Sequence, residues 1–306
     1  MSQKFKIIDF DIIYLSYDEP NAEKNYSDLC NKAPWAKRVH GVKGSDEAHK
    51  ACARLSDTDR FITVDGDNIV REEFFNQEVD FDAYRDLSKC VISWAGYNAI
   101  NGLMYGNGGL KLWPKEYVLN MKTHENAPAD DPNAQVDFCW DAEYIQMNAC
   151  YSNVHNNASP YQAWRAGFRE GVKMSLDRGV TVEAEDFTKH IHWKNLHRLI
   201  TWMNVGMDVP NGVWAILGAR QGCYMTNFDK SWNYVNVRDF DHLDSIWDSL
   251  TVKTEDEALQ EAERLGTELK SRLTLPISVL DVEASKFFKM VHVDYTRIEF
   301  NVLDKE

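Results

Sequence analysis

The chain has no run of 18 apolar residues, so no membrane-spanning helix is expected. Its start, MSQKFKIIDFD, lacks a long apolar segment with a small-residue cleavage site, so no secretory signal peptide is expected. The six cysteines are Cys30, Cys52, Cys90, Cys139, Cys150 and Cys223, and no two are spaced C-x-x-C, which argues against a zinc ribbon. A chain of 306 residues has core enough to do without disulfide staples, so reduced thiols and a cytoplasmic location are expected. Basic residues are scarce. The 34 Lys and Arg stand against 48 Asp and Glu, and the net charge of −14 disfavours a broad basic surface for nucleic acid. A local basic groove is not excluded. Internal repeats and low-complexity tracts are absent. What is present, 44% hydrophobic and 27% charged residues, is ordinary for a folded globular protein of one or two domains.

The order of elements points to the α/β class. Ile12 to Leu15 within DIIYLS form an apolar run suited to a strand buried on both faces. Arg38-Val39-His40 reads as a short strand, and Ser45 as the N-cap of a helix with Ala48, Ala51, Cys52 and Leu55 on its apolar face. Phe61-Ile62-Thr63-Val64 and Cys90 to Trp94 are further strands. Strand, helix, strand in this order predicts a sheet with parallel strands. Gly102 to Gly109, GLMYGNGG, is expected to be a loop, and Lys115 to Met121 a short helix after Pro114. Ser159-Pro160-Tyr161-Gln162 carries a helix-start pattern, as does Thr254 to Glu257. Trp193 to Met207 reads as a helix and Met290 to Val302 as a strand. The expected division is a domain over residues 1–210 and an extension packed on it over residues 211–306.

Asp-x-Asp occurs at Asp9/Asp11, Asp57/Asp59, Asp65/Asp67, Asp80/Asp82 and Asp239/Asp241. In so acidic a chain the pattern alone says little. Only Asp65/Asp67 directly follows an apolar run able to be a central parallel strand, and ligands of open α/β sheets bind beyond such strand ends. Gly66 lets the backbone approach a ligand, and two carboxylates there can hold a divalent cation through hard oxygen ligands. The other pairs read as solvated acidic turns.

The run FDIIYLSYDEPN…GVKGSDEAHKACARLSDTDRFITVDGDNIV resembles the N-terminal half of GT-A-fold glycosyltransferases. With YGNGGLKLWP and SPYQAWRAGFREGVKM, the chain is also similar to glycosyltransferases of large T-even-like tailed phages. Some of those attach a sugar to hydroxymethylcytosine in phage DNA, and an arabinosyltransferase is the nearest of them. The resemblance implies a Rossmann-like GT-A fold: a mixed central sheet with flanking helices and a C-terminal helical and strand extension. It implies a nucleotide-sugar donor, UDP-linked, and a Mn²⁺ or Mg²⁺ ion that offsets the charge of the departing diphosphate. The ion falls to Asp65, Asp67 and His155, with His190, His192 and His197 as competitors for the imidazole. Ser16, Tyr17, Glu19, Lys43, His49, Asp65, Gly108 and Gly109 are implied for the donor. The general base is implied to be Asp141, with Asp137 and Glu143 open. If the chain is phage-encoded, the host-cell cytoplasm is its expected location.

Arg165, Arg169 and Lys173 recur every four residues on one helical stripe, spaced to hold phosphates of a DNA acceptor. No obligate protein partner is evident. FITVDGDNIV also resembles the nucleophile motif of haloacid-dehalogenase-like phosphatases, in which Asp65 attacks phosphorus. A catalytically silent sugar- or nucleic-acid-binding protein is the third reading. The transferase releases nucleoside diphosphate, the phosphatase inorganic phosphate, and the binding protein neither.

Overall fold

In the computed structural model, which describes residues 4–82, 86–136 and 143–292, the apolar runs become central strands because both sheet faces are covered. The strands are β1 (Lys4–Lys6), β2 (Asp11–Ser16), β3 (Lys37–His40), β4 (Arg60–Asp65), β5 (Asn68–Val70), β6 (Glu78–Asp80), β7 (Val91–Asn98), β8 (Met104–Pro114) and β9 (Tyr144–Val154). The helices are α1 (Ala22–Lys32), α2 (Ser45–Leu55), α3 (Lys115–Asn120), α4 (Pro132–Val136), α5 (Pro160–Lys173), α6 (Phe187–His190), α7 (Trp193–Asn204), α8 (Gly212–Phe228), α9 (Phe240–Ser249), α10 (Glu255–Leu273) and α11 (Val282–Val291). A seven-stranded sheet runs β3-β2-β4-β8-β7-β9-β5, and β1 pairs with β6 apart from it.

The sheet is mixed, as expected for the α/β class. Strands β3, β2, β4, β7 and β9 run in one direction, while β8 and β5 run against their neighbours. Alternation sorts their residues. Ile12, Tyr14, Ile62 and Val64 join Ala22 and Leu29 of α1 in one cluster. Ile13, Phe61, Val91 and Trp113 join Cys52 of α2 and Val118 of α3 in another. A third cluster fills the helical layer of α5, α7, α8 and α10, drawing on residues before and after position 210.

Capping chemistry accounts for the helix starts. Ser159 accepts from Gln162 N at 3.1 Å, and Gln162 reaches back to Ala158 N at 2.8 Å. Thr254 and Glu257 form a reciprocal capping box. For α2 the N-cap is Gly44, with φ +89°, and Ser45 is already helical. Gly102 turns with φ +77°, but Met104 to Gly109 begin strand β8 instead of remaining in a loop. Their pairing to β7 is interrupted between Trp94 and Gly96, and Gly106 to Gly109 fill the bulge. Met290 and Val291 are not strand residues: Asp281 accepts from Ala284 N at 2.8 Å and starts α11, which runs through them. The rest of that expected strand, from residue 293, lies outside the described residues.

Helix α8 was not expected from the sequence. It is apolar or small almost all round, so it shows no polar stripe to mark a period. Gly167 and Gly171 of α5 and Gly218 and Gly222 of α8 let the two backbones touch.

Candidate functional site

The parallel strands end together. Ser16 of β2, Asp65 of β4, Asn98 of β7 and Val154 of β9 line a cleft of about 700 Å³. This is the carboxyl edge of the sheet, where ligands of open α/β sheets bind. Helix α5 forms the wall that faces this edge.

The turn after β4 is held from below. The Gly66 carbonyl lies 2.6 Å from the Tyr14 hydroxyl and accepts from Asn25 Nδ2 at 3.0 Å. A Cβ on Gly66 would meet Glu19 Oε2 at 2.6 Å and Ser16 Cβ at 3.0 Å, so any larger residue would displace the Glu19 carboxylate. His155 N donates to the Asp67 carbonyl at 2.7 Å, and Asn68 Nδ2 donates to Asp67 Oδ1 at 2.7 Å. Asp65, Asp67 and Glu19 all line the cleft. Burial, then the charges of Asp65 and Glu19, push the Asp67 carboxyl up to about 7. Burial, opposed by its backbone hydrogen bonds and assisted by Asp18 and Asp65, raises Glu19. These carboxylates repel one another without closing into a three-ligand metal group among the described residues, and a cation shared by Asp65 and Asp67 would remove the repulsion.

Gly109 is bound to this arrangement. It has φ +59°, and a Cβ there would lie 2.6 Å from Asp65 Oδ2 and from Asn68 Nδ2. Gly109→Ala is therefore expected to push Asp65 from the cleft and, if the carboxylate pair binds Mn²⁺, to weaken that binding by about tenfold or more, measured by calorimetry. Unchanged affinity would show that Asp65 is not needed in its present place. Gly108 is likewise a strand residue of β8.

Of the donor residues implied by the resemblance, Ser16, Tyr17, Glu19, Lys43 and His49 all line the cleft. Ser16 Oγ accepts from Arg38 Nε at 3.1 Å and lies 2.9 Å from His40 Nδ1. Tyr17 is exposed at the rim. His49 donates through Nδ1 to the Ser45 carbonyl at 2.7 Å, and burial lowers its pKa, which keeps the ring neutral. Lys43 donates to both carboxylate oxygens of Asp241, at 2.9 and 2.7 Å.

The cationic stripe is not an open helix face. The Arg165 side chain is 12% exposed and that of Lys173 13%, and both line the cleft with Arg169. Arg165 reaches Asp18 at 3.5 Å, and both arginines stack on Phe240, at 4.5 and 5.3 Å. Lys173 pairs with Glu170 at 2.6 Å, and Glu170 accepts from the Tyr105 hydroxyl at 2.6 Å. These side chains face the cleft and not the outer surface of the helix.

Three expectations fare differently. Glu143 is exposed at the amino-terminal start of β9, at the edge opposite the cleft, where it accepts from Cys90 Sγ at 3.3 Å. Parallel pairing of β7 with β9 puts it there and removes it as a base. Asp141 and Asp137 lie outside the described residues. His155 supports Asp67 through its backbone, but its ring is not in the cleft lining. Among the described residues no three His, Cys, Asp or Glu side chains gather as a metal-binding group, so the expected Asp65–Asp67–His155 set is not assembled. His197 stacks on His292, and His192 instead caps α7.

Other cleft residues went unnoticed in the sequence. Asp239 and Asp241, read as a solvated turn, line the mouth with Arg238 and Asp244. Asp239 caps α9, and Arg238 donates to the His124 carbonyl at 2.7 Å. The buried Asn156 Oδ1 has no hydrogen-bond partner among the described residues and borders the cleft. Lys111 is 7% exposed and also borders it. Its sign in the sequence is a lysine alternating with Leu110 and Leu112 inside a buried strand.

No family model matches the chain, and no curated protein matches its sequence. Among solved structures, it is similar to a glycosyltransferase involved in the glycosylation of the major capsid of PBCV-1. That similarity has a TM-score of 0.28 and 14% identity, covering 45% of this chain and 82% of the other. It is also similar to HddC from Yersinia pseudotuberculosis, with a TM-score of 0.27 and 14% identity over 46% of this chain and 69% of that one.

Proposed function

We propose that the chain is a metal-dependent glycosyltransferase that moves a sugar from a nucleotide diphosphate donor to a hydroxyl. The observation that carries this is the polarity of one cleft. Glu19, Asp65 and Asp67 crowd at the strand ends, while Lys111, Arg165 and Arg169 line the same space. A bound cation with a diphosphate matches both sets of charge at once.

In this reading Ser16, Tyr17 and Glu19 face the nucleoside, which is uridine in the proposed donor. Asp65 and Asp67 would hold Mn²⁺ or Mg²⁺. When bound, the ion supplies Lewis acidity toward the departing diphosphate. Arg165 and Arg169 add fixed positive charge inside an enclosed space, where it acts more strongly than in water. Asn156 offers an unused acceptor to a sugar hydroxyl. Asp141 remains the proposed base, so Asp141→Asn is to spare donor binding and lose transfer.

The proposed acceptor is 5-hydroxymethylcytosine in DNA, with arabinose the proposed sugar. Because the cations lie inside the cleft, the base would have to leave the helical stack to reach them. Incubation with a panel of nucleotide-sugars, Mn²⁺ and hydroxymethylcytosine DNA, read by nucleoside mass spectrometry, tests the whole proposal. A sugar-shifted nucleoside together with released nucleoside diphosphate supports it. Release of inorganic phosphate instead would favour the phosphatase chemistry, and no product with any donor would reject transfer.

A further inference from the structure

Lys111 occupies the middle of the sheet, paired with Thr63 of β4 on one side and Ser93 of β7 on the other. Its neighbours Leu110 and Leu112 enter the core beneath α1, so Lys111 emerges on the opposite face with Trp113. There it comes near His49, whose ring responds to the charges of both Asp65 and Lys111. Nine-tenths of Lys111 is buried, and what remains opens into the cleft.

Other enclosed cations find acceptors within the protein, although Arg60 Nε is left without one. Arg60 donates to the Ser88 and Cys90 carbonyls and stacks on Phe81. Arg220 donates to the Met203 and Ala262 carbonyls. Lys173 has Glu170, and Lys289 has Asp208 at 2.6 Å. The side chain of Lys111, unlike its backbone, makes no hydrogen bond or ion pair to any described residue. The stem of Lys111 is buried in the sheet face while its ammonium, with three donors, reaches the cleft and meets no protein acceptor among the described residues. A lysine in that position is explained by a partner that arrives from outside.

We infer that Lys111 binds a phosphoryl oxygen of an incoming diphosphate, on the sheet side of the cleft beside the carboxylates of Asp65 and Asp67. The inference rests on the donor reading above and adds a recognition residue to it. A diphosphate oxygen supplies the negative charge and the lone pairs that the ammonium lacks. Held by Lys111 and by a cation at Asp65 and Asp67, the diphosphate would have two positive contacts from the sheet, only one of which needs metal.

The test uses the full chain and two probes, pyrophosphate and UDP, titrated by calorimetry with Mn²⁺ and again with a chelator. Lys111→Met keeps the length of the side chain and removes the charge. It is expected to weaken pyrophosphate binding in chelator about tenfold or more. Its melting temperature should be no lower than that of the wild type, because no side-chain hydrogen bond or ion pair to a described residue is removed and the apolar stem is kept. Asp67→Asn, by contrast, should retain the metal-free binding and lose the increment due to Mn²⁺. Lys111→Gln, read alongside, guards against a packing fault peculiar to methionine. If both Lys111 variants bind pyrophosphate as the wild type does, the assignment is overturned and the donor reading stands. If they melt well below the wild type, the lysine is structural and the assignment is again overturned. If the wild type binds neither probe in either buffer, the donor reading itself fails and takes this inference with it.

Discussion

Asp67→Asn is expected to abolish metal-dependent nucleotide binding and to lower sugar transfer by at least about 100-fold, with the fold retained. Asn keeps the shape and can still accept from Asn68 Nδ2 and from the backbone, the two hydrogen bonds that hold the Asp67 carboxylate. What goes is the negative charge that would anchor a cation beside Asp65. The charge is costly in the free protein, since burial, Asp65 and Glu19 lift the carboxyl from 3.8 to about 7. The sign of the pH effect follows. Between about 4 and 7 the folded chain holds a proton on Asp67 that the unfolded chain has released. Wild-type stability should therefore fall as pH rises through that window, and Asp67→Asn should remove that part of the slope. Metal binding should run the other way, strengthening up to about pH 7 as the proton leaves. Urea unfolding at several pH values and calorimetry with UDP and Mn²⁺ measure the two slopes. Full turnover by Asp67→Asn would reject the metal assignment.

Gly171→Leu should have the largest effect on stability, a loss of about 3 kcal/mol or more. A Cβ on Gly171 would lie 2.2 Å from the Ala219 carbonyl oxygen, and one on Gly167 would lie 2.0 Å from that of Ala215. From the other helix, a Cβ on Gly218 would meet the Trp164 carbonyl at 2.1 Å, and one on Gly222 that of Phe168 at 2.3 Å. Rigid backbone opposes the new atoms in every case, so the helices have to part. The consequence reaches the cleft, because α5 carries Arg165 and Arg169 on its far side. Gly171→Ala, the milder change, should displace those cations from Asp18 and Phe240 and weaken binding of a diphosphate as well as lower the urea midpoint. A midpoint unchanged in Gly171→Leu would mean that α5 and α8 do not meet through these glycines.

Much of the α/β frame can be read along the chain. The apolar runs of β2 and β4, the Ser159 and Thr254 caps and the amphipathic α10 each involve residues a few positions apart. Asp65 and Asp67 stood out for the same reason, at the tip of a buried strand. The misreadings are also local in origin. Glycines in β8 look like a loop because the residues they pack against, Gln146 for Gly106 and Asp65 and Asn68 for Gly109, are remote in sequence, and α8 hides its period because nearly every side is covered.

Local order thus made the strands, the caps and one pair of aspartates recognisable, since their physics is settled between near neighbours. Which of the remaining charges face the cleft is a matter of crossings. The contact between Lys43 and Asp241 spans 198 positions, and Glu143 misses the cleft only because β9 lies parallel to β7. Lys111 becomes a candidate ligand for phosphate only once β8 is seen threaded between β4 and β7, with its side chain opening into the cleft and in no ion pair among the described residues. Desolvation depends on what packs above and below a residue, and that is decided by the folded chain as a whole.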